Sequence, residues 1–129
     1  MQSQKITGGG GAQLNVVETG NGRGRPIVFL HGFSQCWLAW SRQLNSTLAD
    51  DHRLVAVDLR GHGLSDKPSD GYSDSRLWAD DIDAVIRTLS LEQPILCGWS
   101  YPVSCCAAKQ TSSRVRRRPS RRVPAIRLS

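Results

Sequence analysis

The amino-acid sequence predicts an α/β fold in which helices flank a partial, mostly parallel sheet. Three observations support this prediction: strand-like and helix-like segments alternate, the main apolar runs lack a two-residue period, and glycine-containing turns follow those runs. Continuous apolar runs are typical of strands buried on both faces of a parallel sheet. Strand–helix alternation favours the right-handed crossovers of such sheets. The length of 129 residues allows one domain.

The first segments of the chain predict two strands joined by a turn. Residues 5–7 and 12–19 have a weak two-residue period, and four glycines at 8–11 separate them. A loop at 20–24, rich in glycine and able to adopt positive φ, leads to the apolar run at 27–30. We predict this run to be the first strand buried on both faces.

A helix and a second buried strand are expected next. The helix is predicted near residues 37–48, because the large apolar residues there fall at i, i+3, i+7 and i+11, on one face of a helix. They are Trp37, Trp40, Leu44 and Leu48. Two aspartates and a histidine end this pattern. Residues 53–59 then predict the second strand, because residues 54–57 are all apolar.

A second helix and a third buried strand complete the alternation. The loop at 60–72 is rich in Gly, Pro and Asp, and Ser73 or Asp74 can cap a helix that extends to Leu89. Pro94 precedes the short apolar run at 95–97. The predicted order is therefore strand, helix, strand, helix, strand.

Charge divides the chain into two parts. Residues 1–108 carry nine basic and eleven acidic side chains, whereas residues 109–129 carry eight basic and none acidic. We therefore expect a folded part at 5–101 and a disordered basic tail at 102–129 that buries too little apolar surface to fold. The arginines of the tail leave open an alternative function, non-specific binding to nucleic acid or another acidic surface. No aromatic residue is interleaved to stack on bases, so no specific nucleic-acid partner is expected.

The sequence also gives expectations about location and cysteine chemistry. No apolar run approaches the length of a membrane span, and the start of the chain has no apolar signal region. We expect a cytoplasmic protein with no membrane partner and no disulfide framework. Cys105 and Cys106 lack the spacing of a zinc site. Nothing basic is visibly directed at Cys36 or Cys97, which we interpret as inert thiols rather than nucleophiles.

Three motifs follow the three buried strands. Gly98-Trp99-Ser100 directly follows the third, and small residues around such a serine permit a strained strand-to-helix turn that lifts the hydroxyl clear of the sheet. His31-Gly32 ends the first strand and turns the chain, so that a following backbone N–H can point at a reaction centre. The Arg-Gly-His-Gly-Leu-Ser-Asp-Lys-Pro loop at 60–68 follows the second.

Together these motifs resemble the N-terminal part of the α/β-hydrolase fold family, over residues 5–101. The resemblance implies that Ser100 is the nucleophile and that the backbone N–H groups of Phe33 and Tyr101 form the oxyanion hole. It assigns structural turn roles to His31, Gly32 and Gly98. We also interpret His62 and Asp58 as turn-forming residues rather than catalysts, since the base of a triad in this fold follows the serine in sequence.

The resemblance also implies a reaction class. The motifs are similar to those of esterases, epoxide hydrolases and cofactor-free haloperoxidases. Epoxide hydrolases and haloalkane dehalogenases use Asp as nucleophile, so Ser100 indicates the serine-using branch. A small-molecule acyl substrate is implied, without a cofactor or a metal, and the oligomeric state is left open.

The sequence departs from the family pattern after Tyr101. Pro102 stands where the elbow has a second glycine, and all three histidines precede Ser100, as does the last acidic residue, Glu92. A triad needs both a base and an acid, so we expect a truncated hydrolase that is inactive alone. A change of reading frame near 101–102 would explain why motif agreement, acidic residues and apolar periodicity end together.

Overall fold

The protein is described by a computed structural model, in which residues 1–100 are placed. Within them the chain forms one sheet of five strands with the spatial order β1-β2-β4-β3-β5. The strands are β1 (Gln2–Thr7), β2 (Gln13–Gly20), β3 (Arg25–Leu30), β4 (His52–Val57) and β5 (Ile95–Gly98). The α-helices are α1 (Ser41–Leu44), α2 (Leu48–Asp51) and α3 (Ser75–Thr88), and short 3₁₀ helices span Gly9–Gly11 and Trp37–Trp40. The predicted α/β class is confirmed.

The sheet has an antiparallel part and a parallel part. β1 pairs with β2, and β2 with β4, in antiparallel orientation. β3 pairs in parallel with both β4 and β5. The parallel strands are the three that the apolar runs predicted, and the antiparallel pair is the segment with the weak two-residue period.

Both faces of β3 and β4 are buried, which explains the lack of alternation in their sequences. In β3, Val28 and Leu30 join one apolar cluster, which includes Trp78, Ile82 and Val85 of α3. Ile27 and Phe29 join a second cluster on the opposite face, against Leu44. Burial of alternate residues on opposite faces thus produces a continuous apolar run.

Helix α3 forms as the sequence predicts. Asp74 is its N-cap, and the carboxylate accepts a 2.9 Å hydrogen bond from the N–H of Arg76. This bond satisfies one of the unpaired donors at a helix start. Trp78, Ile82 and Val85 lie on the buried face that covers the sheet.

The predicted single helix near residues 37–48 is instead a 3₁₀ turn followed by α1, and the chain breaks before α2. Asn45 donates its side-chain N–H to the carbonyl of Ser41, and the Ser46 hydroxyl donates to the carbonyl of Gln43. Short polar side chains compete with the helical backbone in this way. Leu48 consequently leaves the apolar stripe and is exposed, whereas Leu44 is buried.

None of the helices within residues 1–100 is long and apolar enough to cross a bilayer.

Candidate active site

The carboxyl ends of the three parallel strands meet at one edge of the sheet. Leu30, the last residue of β3, is in register with Val57 at the end of β4 and with Gly98 at the end of β5. The segments that follow these strands therefore leave the sheet side by side. This topology brings together the three motifs that are far apart in sequence.

Ser100 lies in a sharp turn just beyond β5. Its φ is +67°, in the left-handed region that residues with a side chain rarely occupy. Gly98 ends the strand, Trp99 follows, and Ser100 is exposed to solvent. A strained residue in this place is typical of a nucleophile elbow. Three predicted features lie outside the described residues: the oxyanion donor Tyr101, the departure from the elbow pattern at Pro102, and the basic tail at 102–129.

Residues 32–35 form a tight turn after β3. The carbonyl of Gly32 accepts a 3.3 Å hydrogen bond from the N–H of Gln35, and Ser34 has a φ of +63°. A positive φ at the third residue is the signature of a type II turn. The backbone N–H of Phe33, the second residue, has no acceptor among residues 1–100. An N–H that is free of internal partners is available to a ligand oxygen.

The side chain of Gln35 links this turn to the elbow. Its Oε1 accepts one hydrogen bond from the N–H of Gly32 and another from Trp99 Nε1, each at 3.2 Å. A Cβ on Gly32 would lie 3.1 Å from Trp99 Nε1, so a side chain there would crowd the contact. Sequence analysis missed Gln35, because no motif singles out a glutamine in this loop.

His31 is fully buried and has both ring nitrogens engaged by the backbone. Nε2 accepts a 3.0 Å hydrogen bond from the N–H of Leu59, and Nδ1 lies 2.8 Å from the carbonyl of Gly32. An accepting Nε2 requires a neutral ring with its proton on Nδ1. Burial is the main cause that lowers the pKa of His31 below the ordinary 6.5, and nearby His62 lowers it further. The ring therefore ties the loop after β4 to the turn after β3.

His62 supports the same turn from the other side. Its Nε2 accepts a 3.2 Å hydrogen bond from the N–H of Ser34, and Nδ1 lies 2.9 Å from the carbonyl of Arg60. The rings of Phe33 and His62 meet edge to face with their centroids 5.7 Å apart. The loop after β4 thus holds the turn that carries the Phe33 N–H.

Asp58 is buried, and its carboxylate is used in hydrogen bonds to three segments of the chain. Its carboxylate accepts hydrogen bonds from the N–H of Trp37 at 2.6 Å, the N–H of Leu64 at 3.0 Å and Asn15 Nδ2 at 3.0 Å. A Cβ on Gly63 would clash with this carboxylate. The carboxylate connects the segments after β3 and β4 to β2. These hydrogen bonds indicate a structural role in holding the loops in place.

A cavity of about 280 Å³ lies beside the elbow. It is lined by Ala39, Trp40, Gln43 and Trp99.

Cys36 and Cys97 are half-buried free thiols, and Cys97 packs against the apolar cluster under the first helical segment. This end of the sheet thus presents the exposed Ser100 at a strained turn after β5. The turn after β3 presents the Phe33 N–H, which has no acceptor among residues 1–100. A hydroxyl and a backbone N–H donor are two groups that acyl transfer can use.

The chain belongs to the α/β-hydrolase fold family. The family profile described as alpha/beta hydrolase fold matches residues 25–117, which includes residues beyond the boundary predicted at 101. AB hydrolase superfamily protein YisY of Bacillus subtilis is 48% identical over 79 residues, which are 61% of this chain and 29% of that protein. Epoxide hydrolase 1 of Caenorhabditis elegans is 40% identical over 91 residues, 69% of this chain and 22% of that protein.

Solved structures agree with this assignment. The crystal structure of the esterase RhEst1 from Rhodococcus sp. ECU1013 matches with a TM-score of 0.80 and 42% identity, and covers 88% of this chain and 43% of that one. The chain spans less than a third of the length of the curated relatives it matches.

Proposed function

We propose that this chain carries the nucleophile and part of the oxyanion hole of a serine hydrolase for esters or related acyl compounds. The observation that carries the proposal is the left-handed φ of Ser100 directly after β5. It is supported by the neighbouring turn, in which the Phe33 N–H is free of acceptors among residues 1–100. Gly32, Gly98 and His31 then serve as structural residues that shape the two turns.

In the proposed reaction, Ser100 Oγ attacks the acyl carbonyl and loses its proton to a base. The carbonyl oxygen becomes an oxyanion, which accepts hydrogen bonds from the Phe33 N–H and, by the family pattern, from the N–H of Tyr101. Collapse of this intermediate expels the alcohol and leaves an acyl ester on Ser100. Attack by water then releases the acid and restores the hydroxyl.

No histidine of this chain is available as the base. His31 and His62 use both ring nitrogens on backbone groups. His52 is the first residue of β4, so it lies at the amino ends of the parallel strands, whereas Ser100 follows the carboxyl end of β5. Without a base, the Ser100 hydroxyl is a weak nucleophile at neutral pH. We therefore propose slow acylation and little turnover by the chain alone.

The identity of residue 100 favours acyl substrates over epoxides. A serine forms an acyl ester whose developing oxyanion the Phe33 N–H can accept, whereas an epoxide offers no carbonyl for that donor. The esterase and epoxide hydrolase relatives share the fold, so the residue at the elbow is what separates the two reactions in this proposal.

The direct test is acylation by p-nitrophenyl acetate, followed by intact-mass measurement and peptide mapping. We expect one acetyl group to appear slowly on the peptide that contains Ser100, and Ser100→Ala to abolish it. Ser90→Ala is the matched control, because Ser90 is also exposed and also has a positive φ, but lies just after α3 and outside the turn that carries the Phe33 N–H. Acetylation of the same peptide that persists in Ser100→Ala would refute the assignment of Ser100 as the nucleophile. A sustained Ser100-dependent release of p-nitrophenol would instead show that a base is present.

A further inference from the structure

We propose that Gln35 is a positioning residue that locks the turn carrying the oxyanion donor to the nucleophile elbow. The proposal rests on the function proposed above and deepens it. Its starting point is one amide oxygen that accepts two hydrogen bonds, from the Gly32 N–H and from Trp99 Nε1, each at 3.2 Å.

The chemistry of the two donors fixes the orientation of the Gln35 side chain. A backbone N–H and an indole N–H are both donors only, and the amide nitrogen of glutamine is also a donor. Only Oε1 can face both groups. A carbonyl oxygen has two lone pairs, so one atom can satisfy both partners. The Oε1 of Gln35 therefore accepts hydrogen bonds from both loops, although Gln35 and Trp99 are 64 residues apart in sequence.

The Gln35–Trp99 hydrogen bond lies beyond the last backbone pair between β3 and β5. The β3–β5 ladder ends at the pair Leu30 and Gly98, and the two segments continue beyond it without backbone pairing. Within residues 1–100, the Trp99–Gln35 bond is the one side-chain hydrogen bond between residues 31–36 and residues 99–100. The position of Phe33 relative to Ser100 past the end of the ladder thus depends on Gln35.

Gly32 fits the same interpretation. A Cβ on Gly32 would meet Trp99 Nε1 at 3.1 Å and Gln35 Oε1 at 3.3 Å, closer than ordinary contacts. The glycine lets the indole and the amide approach the backbone of the turn. A nucleophile and an oxyanion donor must keep a fixed spacing, and a displacement of about 1 Å can cost about 10²-fold in rate.

The first arm of the test uses ¹H–¹⁵N NMR of the full chain. In Gln35→Met the side chain keeps its length and loses the acceptor, so the Trp99 indole and Gly32 amide signals should shift and exchange faster with water. Gln35→Glu retains an acceptor oxygen and should keep both N–H groups protected from exchange with water. Gln43→Met is the matched control, since Gln43 borders the same cavity as Trp99 without bonding to it.

The indole of Trp78 reports whether the variants fold. Its Nε1 donates to the carbonyl of Tyr72 at 2.9 Å on the buried face of α3, and its signal should be unchanged in all three variants. The proposal is overturned if Gln35→Met leaves the chemical shift and the water-exchange rate of the Trp99 indole unchanged. It is also overturned if Gln35→Glu speeds this exchange as much as Gln35→Met does. Equal shifts in Gln43→Met would also overturn it.

The second arm measures the effect on Ser100. Acetylation of Ser100 by p-nitrophenyl acetate should slow about tenfold in Gln35→Met, because the oxyanion donor is no longer held in place. It should be unchanged in Gln43→Met. A wild-type acylation rate in Gln35→Met would overturn the positioning role. If the unaltered chain is not acylated at Ser100, the proposed function fails, while the NMR arm still decides whether Gln35 links the two loops.

Discussion

Arg60 and Asp81 form an ion pair with two hydrogen bonds of 2.7 Å, and both side chains are 2% exposed or less. The guanidinium also donates to the carbonyl of Gly9 at 2.8 Å, and the carboxylate accepts from the Gly9 N–H at 2.8 Å. The hydrogen bond to Asp81 is the main cause that raises the pKa of Arg60 above its ordinary value. The pair thereby fastens the glycine turn between β1 and β2 to helix α3.

Removal of one partner should strongly destabilise the fold. Asp81→Asn leaves the Arg60 guanidinium buried without its counter-charge, and breaking a buried pair in this way costs about 3–5 kcal/mol. Asp83→Asn is the control, because Asp83 pairs with Arg87 on the exposed face of the same helix. That change should cost about 0.5 kcal/mol or less. Urea denaturation followed by circular dichroism measures both, and equal losses would contradict the prediction.

Gly63 should be irreplaceable in the loop after β4. Its φ is +52°, and a Cβ there would clash with the carboxylate of Asp58. Gly63→Ala should therefore cost about 1–3 kcal/mol from backbone strain alone, with more from the displaced carboxylate. Gly22→Ala is the matched control, since a Cβ on Gly22 meets nothing within 4 Å. A Gly63→Ala variant as stable as Gly22→Ala would refute the role of the close approach.

Stability should fall when the pH drops below about 6.5. Burial lowers the pKa of His31 below 6.5, so in the unfolded chain His31 takes up a proton at a higher pH than in the folded chain. Proton uptake then favours unfolding, and the contribution of His31 is complete above the unfolded pKa and lost as the pH falls toward the folded one. The slope reaches at most about 1.4 kcal/mol per pH unit.

Urea midpoints at pH 7.5, 6.5 and 5.5 test this linkage. His31→Gln should be less stable at every pH but should lose less stability between pH 7.5 and 5.5. An unchanged slope in His31→Gln would show that another group causes the loss.

Local sequence patterns were sufficient to predict the strands and the place of the serine. The apolar runs at 27–30 and 54–57 lie in β3 and β4, although β4 ends at Val57 and not at the predicted residue 59. Asp74 caps α3 as predicted. These features depend on burial period and capping, which neighbouring residues decide. The turn at Ser100 followed from a motif placed after a strand, and its positive φ agrees.

Long-range side-chain contacts were beyond such patterns. Gln35 reaches Trp99 across the end of the β3–β5 ladder, and Arg60, the first residue of the predicted loop at 60–72, is buried against Asp81. The break after α1 was also missed, because Asn45 and Ser46 compete with the helix through side-chain hydrogen bonds that the apolar stripe does not reveal. The Gln35–Trp99 and Arg60–Asp81 contacts depend on which segments meet in space, whereas the break after α1 depends on local side-chain hydrogen bonds.

The last prediction concerns β5, which lies at one edge of the sheet formed by residues 1–100. β5 pairs with β3 on one side, and Ile95 is 37% exposed. An apolar edge strand with unpaired backbone groups promotes association with another chain. Ile95→Lys should therefore reduce concentration-dependent self-association, measured by sedimentation velocity or light scattering. Leu64→Lys is the control, since Leu64 is more exposed but lies in a loop, and it should leave self-association unchanged. If both variants reduce it equally, general surface hydrophobicity rather than the edge of β5 drives the association.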